Sequence, residues 1–269
     1  MVANDANVSA ISQAFIQARR AAKALAGYPG AEVPPTLEAA YAVQEASING
    51  WGDRIAGWKI GLIPPPLRAQ YGAERFAGPV FAARVHQYRP GQPAKAAFIE
   101  GGFGALEAEF VLRLGADVPD DARVASDEGI ARYVGAMHVG VELAGSPLKT
   151  LNALGPASII SDFGNNTGLV VGPEIPGWEN RRLETLSVRT IIGGAVAGEG
   201  SAANVPEGPL AALRFLIENC RKRRRPLRAG MFVSTGAVTG VHEVQPGARA
   251  TVDFGAFGKI ELVVEAAKA

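Results

Sequence analysis

The sequence of 269 residues contains a single cysteine, Cys220. One thiol excludes an intrachain disulfide framework and every CxxC metal or redox motif, a composition that agrees with a reducing, cytoplasmic setting. Histidine is almost as scarce. His86, His138 and His242 show no HxH or HxxxH spacing, so neither a zinc-ligand pattern nor a Ser/His/Asp order can be assembled from them. No apolar run approaches the roughly 20 residues of a spanning helix. The N-terminus MVANDANVSA carries no basic segment followed by an apolar stretch, so neither secretion nor membrane insertion is expected. Net charge is lacking too: 27 Lys and Arg against 26 Asp and Glu leave +1, too little for a global attraction to nucleic acid, an anionic membrane or an acidic partner. Any charged ligand must be held locally.

What the chain does have is apolar material, 48% hydrophobic against 20% charged residues, enough to bury one large core. Val8, Ile11, Phe15, Ala18, Ala22 and Leu25 recur at helical spacing and predict a helix over Val8 to Leu25, stopped by Gly27. A second helix is expected to start at Thr36, a good N-cap after two prolines, and to end near Gly50. Beyond Arg54 the texture changes to short β-compatible runs, among them Ile55 to Leu62, Leu106 to Leu114, Val139 to Leu143 and Ile260 to Val264. Only two later helices are readable, Asp127 to Met137 and Pro209 to Lys222, so the strict βαβ alternation of a doubly wound sheet is missing and an α+β roll is expected. Gly193 and Gly194 between two such runs predict a two-residue hairpin turn. The division expected is an N-terminal helical segment, 1–54, and a strand-rich domain, 55–269.

The most informative stretch is Ala105 to Leu114. Read as a strand, it puts Leu106, Ala108, Phe110, Leu112 and Leu114 on one face and Glu107 beside Glu109 on the other. Two like charges on an apolar strand are buried only if a cation or hydrogen-bond donors compensate them. A hard divalent ion is one such compensation, and Glu142, flanked by Val141 and Leu143, is a candidate third oxygen ligand. The alternative is a solvated sheet face beside Arg113. Lys59, in Gly57-Trp58-Lys59-Ile60-Gly61, either meets an anionic partner in the interior or snorkels to water. The run Asp162 to Gly168, rich in Asn and Gly, is either an ordinary turn or the wall of a polar pocket. The dense basic run Arg221 to Arg225 falls where a helix should end. It suits the macrodipole there, and without interleaved aromatics it does not call for nucleic acid.

Taken in order, Thr36 to Gln44, Trp58 to Leu62, Leu106 to Phe110, Val141 to Leu143, Asp162 with Asn166 and Gly172, Ser234 to Gly236 and Phe257 to Ile260 resemble the 2-keto-4-pentenoate hydratase family, which with the 2-oxo-3-hexenedioate decarboxylases is a branch of the fumarylacetoacetate hydrolase superfamily. The resemblance implies a mixed, rolled β-sheet with flanking helices and a homo-oligomer. It further implies Mg2+ or Mn2+ held by Glu107, Glu109 and Glu142, a small 2-oxo acid substrate that chelates the metal, Lys59 as the active-site lysine, and Asn166 and Thr235 as substrate contacts. The reaction implied first is hydration of 2-hydroxypenta-2,4-dienoate to 4-hydroxy-2-oxopentanoate. Decarboxylation of 2-oxo-3-hexenedioate and a noncatalytic assembly subunit are the alternatives, while carbon–carbon hydrolysis of an acylpyruvate would need a water-activating histidine. The sequence departs from the resemblance at Pro79 to Val85, where adjacent acids are expected but Ala83 and Arg84 stand, and at Ile63 to Pro66, where small hydroxyl residues are usual. Arg84 or Arg68 is expected either to pair with an anionic substrate group or to be a surface arginine.

Overall fold

A computed structural model describes residues 5–123 and 126–269. In chain order the elements are α1 (Asp5–Arg20), α2 (Leu37–Trp51), β1 (Ile55–Leu62), α3 (Pro65–Tyr71), β2 (Arg75–Phe81), β3 (Val85–Gln87), β4 (Ala94–Phe98), β5 (Phe103–Leu114), α4 (Asp127–Ala131), β6 (Val134–Ser146), α5 (Pro156–Ser161), β7 (Asn166–Glu174), β8 (Ser187–Ile192), β9 (Ala195–Ser201), α6 (Pro209–Arg223), β10 (Phe232–Ser234), β11 (His242–Glu243), β12 (Arg249–Asp253) and β13 (Lys259–Ala266). This is the expected α+β architecture. None of the described helices is long and apolar enough to cross a membrane.

Two mixed sheets share the strands. The larger runs β2-β1-β10-β5-β6-β7-β3 with β11 added to β5, and the smaller runs β4-β13-β12-β8-β9. The central strands β5 and β6 pair antiparallel from Phe103↔Ser146 to Leu114↔Val134. Both faces of β5 are buried, which is why it reads as a nearly continuous apolar run. One face, Leu106, Ala108, Phe110 and Leu112, shares a core with Phe98, Ile260 and Leu262 of the smaller sheet and with Phe254 just after β12, the Phe110 and Phe254 rings lying edge to face at 5.8 Å. Each such large side chain contributes about 1.5–3 kcal/mol of burial. On the other face Val111 packs with Val80 of β2 and with Leu169 and Val171 of β7. Strands far apart in the sheet order thus touch, so the larger sheet is curled around this apolar plug.

Two helices end earlier than their apolar spacing predicts. α1 stops at Arg20 rather than Leu25, because Ala22 takes a positive φ of 49° and the Leu25 N–H donates to Pro147 O at 2.8 Å. The helix expected over Asp127 to Met137 covers only Asp127–Ala131. Val134 onward is drawn into β6 because it is paired by β5 on one side and β7 on the other, and that long-range pairing outweighs local helical preference. Elsewhere the local signals hold. Thr36 caps α2 by accepting from Ala39 N, and Gly193 and Gly194 turn the β8–β9 hairpin with φ of 59° and 87°.

The basic run at the end of α6 clamps this helix to α2. Arg223 donates to Gln44 Oε1 (2.6 Å) and Glu45 Oε1 (2.8 Å), Arg225 Nε donates to Glu45 Oε2 (2.7 Å), and the Arg223 guanidinium lies 4.3 Å over the Tyr41 ring. Gln44 passes the link inward, its Nε2 donating to Ala77 O on β2 and to Ile160 O on α5. β2 is thereby held against a 3-10 turn, Phe163–Asn165, at Gly78. A methyl group there would run into the Phe163 carbonyl and lie 2.8 Å from Gly164 Cα. Gly78→Ala is expected to cost roughly 1–3 kcal/mol in chemical denaturation, the penalty of overpacking against backbone. An unchanged denaturation midpoint would mean that this turn yields freely.

Candidate metal centre

The pairing of β5 with β6 sets Glu107 directly opposite Glu142, and Glu109 lies on the same face of β5 two residues on. One carboxylate oxygen from each of the three lies within 4.8 Å of the others. Glu109 and Glu142 are fully buried and Glu107 is 6% exposed. The solvated-face alternative for this strand therefore does not apply.

Two of the three acids, Glu142 and Glu109, are partly satisfied by neighbours. Glu142 Oε1 accepts from Asn166 Nδ2 at 3.0 Å and pairs with Lys59 Nζ at 3.1 Å. Glu109 Oε2 accepts from Ser234 Oγ at 2.6 Å and from Gly236 N at 2.8 Å. Lys59 Nζ also donates to Asn165 Oδ1 at 2.9 Å, and Asn165 Nδ2 lies 3.5 Å from Asn152 Oδ1. Lys59 reaches the cluster because β1 lies parallel to β10, with Lys59 opposite Ser234, and antiparallel to β2, where Gly78 leaves it room. It is buried among anions and does not snorkel.

The charges are unbalanced. Burial pushes Glu107 up to about 7, with Lys59 opposing and Glu142 adding to the rise. Burial, then the Glu142 and Glu107 charges, hold Glu109 well above the ordinary carboxylate range. For Lys59 burial favours the neutral amine, but the attraction of Glu142, Glu107 and Glu109 outweighs it and keeps the ammonium above its usual value. Two buried oxygens, Glu109 Oε1 and Glu142 Oε2, have no hydrogen-bond partner among the described residues. An unpartnered buried carboxylate oxygen is costly. Two of them on converging carboxylates, with no donor to serve them, fit a hard cation that prefers oxygen ligands.

Other expected site residues lie elsewhere. The Thr235 hydroxyl donates to Phe110 O at 2.7 Å, while its neighbour Ser234 carries the hydroxyl that touches Glu109. Arg84 is exposed in a 3-10 turn, Ala82–Arg84, and lines a cavity of about 70 Å3 with Arg19, Trp51, Phe163 and Lys268 that none of the three glutamates borders. Arg68 donates to Ile63 O at 3.0 Å. His138 and His242 bond Gly172 O and Thr239 Oγ1, away from the cluster. Asn165, Ser234 and the Gly236 N–H lie in stretches named from the sequence, where Asn166 and Thr235 were the residues expected to make contacts. A three-residue strand such as β10 is too short to show an alternation.

No family model matches the chain. It is 25% identical over 229 residues to 2-keto-4-pentenoate hydratase 1 of Dechloromonas aromatica (strain RCB), covering 84% of this chain and 85% of that one. It is 29% identical over 103 residues to 4-oxalocrotonate decarboxylase of Pseudomonas putida, covering 38% of this chain and 39% of that one. The curated proteins it resembles in sequence are thus hydratases and decarboxylases, at 25–29% identity. Its fold matches 4-oxalocrotonate decarboxylase from Pseudomonas putida G7, complexed with magnesium and adipate, with a TM-score of 0.80 at 21% identity over 97% of this chain and 98% of that one. Fumarylpyruvate hydrolase from Pseudomonas aeruginosa, in complex with Mn2+ and pyruvate, gives 0.58 at 16% identity over 80% and 91%. The chain shares its fold with both of these structures.

Two measurements test the cluster. Glu109→Gln is expected to weaken Mg2+ or Mn2+ binding in calorimetry by more than about 10-fold, since disturbing even the partners of a ligand costs that much; unchanged affinity would remove Glu109 from the site. The second is pH-dependent. Glu107 and Glu109 are raised above the ordinary 4.5, so the folded cluster retains protons that the unfolded chain has lost. The stability they contribute without metal therefore falls as pH rises from 4.5 through about 7. A dication replaces those protons, so the rise in Tm on adding Mg2+ should be larger at about pH 8 than at about pH 5.5. An equal rise at both would contradict proton displacement.

Proposed function

We propose that the protein is a divalent-metal-dependent lyase that hydrates 2-hydroxypenta-2,4-dienoate to 4-hydroxy-2-oxopentanoate, with Mg2+ or Mn2+ held by Glu107, Glu109 and Glu142. The observation that carries the reading is the convergence of these three buried carboxylates, two with unpartnered oxygens, beside the buried Lys59, whose Nζ lies 3.1 Å from Glu142 Oε1. A dication held there would withdraw electrons from the 2-oxo group of a chelating acid. The chain's own groups supply the remainder. Three carboxylates, a dication and the Lys59 ammonium cancel, so an anionic substrate meets a neutral site. Lys59 holds a proton at Nζ beside the cluster, where it suits delivery to the conjugated chain as an enol becomes a ketone. Asn165 aims that ammonium, Asn166 fixes Glu142, and Ser234 with the Gly236 N–H fixes Glu109.

One observation favours decarboxylation of a conjugated 2-oxo diacid such as 2-oxo-3-hexenedioate. The turn Ala82–Arg84 brings no carboxylate to the cluster, and loss of carbon dioxide needs the same electron withdrawal but no activated water. The purified protein with Mg2+ should consume the dienoate, read by loss of its ultraviolet absorbance, without releasing carbon dioxide. Lys59→Met is expected to slow this by about 10²- to 10⁴-fold, the range of a positioned proton donor. Carbon dioxide release from 2-oxo-3-hexenedioate alone would establish the second chemistry. Turnover of neither would overturn both and leave a binding or assembly role.

A further inference from the structure

The 3-10 turn between α5 and β7 is held in a conformation that side chains rarely adopt. Phe163, Gly164 and Asn165 take φ of 55°, 65° and 58° in succession, two of them not glycine. This is also the turn whose Asn165 bonds Lys59 and whose exit residue Asn166 bonds Glu142. Something outside the turn must fix it, and one group touches both its ends. Arg19, in the last turn of α1, has a side chain only 7% exposed. Its Nε donates to Asp162 Oδ1 at 2.6 Å and its Nη2 to Asp162 O at 3.3 Å, at the entry. Nη1 donates to Asn166 O at 3.1 Å, at the exit, and Nη2 also reaches Gly145 O on β6 at 2.9 Å. Its guanidinium lies 5.2 Å from the centre of the Phe163 ring, between the two ends. The other oxygen of Asp162 accepts from Ser146 Oγ at 2.5 Å, which anchors the entry to β6 as well.

We infer that Arg19 is a positioning residue for the metal centre: by clamping Asp162 and Asn166 at once it holds the left-handed turn that aims Asn165 at Lys59 and Asn166 at Glu142. The inference rests on the metal-centre reading, not on which reaction follows. It assigns a function to α1, which otherwise supplies packing through Ile11 and Phe15. Only a planar fork of donors spans the separate acceptors; a lysine ammonium is a point charge and does not. The adjacent Arg20 provides the comparison. It donates to Gly50 O (3.0 Å) and Trp51 O (2.8 Å) from the same helix but touches nothing in the turn.

The test is Mn2+ affinity by calorimetry, without substrate, on the full chain and on Arg19→Ala, Arg19→Lys and Arg20→Ala, with thermal unfolding of each. Arg19→Ala should weaken Mn2+ binding by up to about 10-fold, the low end of what losing a ligand's own partner costs, because Arg19 acts one residue further out, through Asn166. A few millimolar guanidinium should recover part of that loss. Arg19→Lys keeps the charge without the fork and should also bind more weakly than the parent. Arg20→Ala should lower Tm yet bind Mn2+ as the parent does. Arg19 variants that melt cooperatively and bind Mn2+ with unchanged affinity would overturn the inference while leaving the metal centre standing. If Arg19→Ala fails to fold, the lysine variant decides by the same comparison. A parent protein that binds no Mn2+ would overturn the metal centre and this inference with it.

Discussion

Three carboxylates buried side by side against a single ammonium are the constraint from which the rest of this structure is best understood. In water such a cluster repels itself weakly; in an interior it repels strongly and forfeits its hydration as well. Every polar contact around Glu107, Glu109 and Glu142 answers part of that cost. Lys59 and Asn166 meet Glu142, Ser234 and a backbone N–H meet Glu109, and no described group donates to Glu107. The answer is incomplete: besides Glu107, the buried oxygens Glu109 Oε1 and Glu142 Oε2 have no partner among the described residues. A hydrophobic substitute would be better for stability alone, so the cluster makes sense as a place prepared for a cation.

The fold supplies this arrangement by letting distant backbones come close. Lys59 on β1 lies between β10 and β2, and Gly78 opposite it has no side chain, so the Phe163–Asn165 turn can lie directly on β2. Gly236 takes a φ of 123° as its N–H reaches Glu109. Charged groups sit on long paired strands, whose register fixes their spacing. The neutral amides that aim them sit on a turn, which needs outside support. That support comes from two directions: the Gln44 amide from α2 and the Arg19 guanidinium from α1.

Much of this is legible from residue order. The alternation around Glu107 and Glu109 gives their common face, and the apolar flanks of Glu142 give its burial, because strand periodicity is a local property. The direction of Lys59 is not local: an apolar strand holding one lysine is compatible with either face until β2 and the 162–166 turn are in place. Length is the weak point of the helical readings, at Leu25 and at Met137, where pairing with Pro147 and with β5 ends what periodicity continues. The basic run after α6 carries a sign but no partner. Only the fold brings Glu45, more than 170 residues away, against Arg223 and Arg225. Thr235 and Ser234 show the same limit at finer grain: adjacent hydroxyls in one motif point to opposite faces, and only the strand pairing distinguishes the one that meets Glu109.

The choice of lysine over arginine at position 59 follows from the room available. Its ammonium sits within hydrogen-bond reach of both Asn165 and Glu142 and 5.5 Å from the centre of the Phe76 ring, a space bounded by β2 and the turn. A guanidinium is planar, larger and cannot release a proton in a protein, whereas an ammonium fits as a point charge and can. At position 19 the requirement is reversed. There the acceptors are spread over Asp162, Asn166 and Gly145, no proton needs to move, and a rigid fork of donors is the better tool. The two cations thus divide the work around one turn: one is a compact charge facing the acids, the other a brace behind the amides.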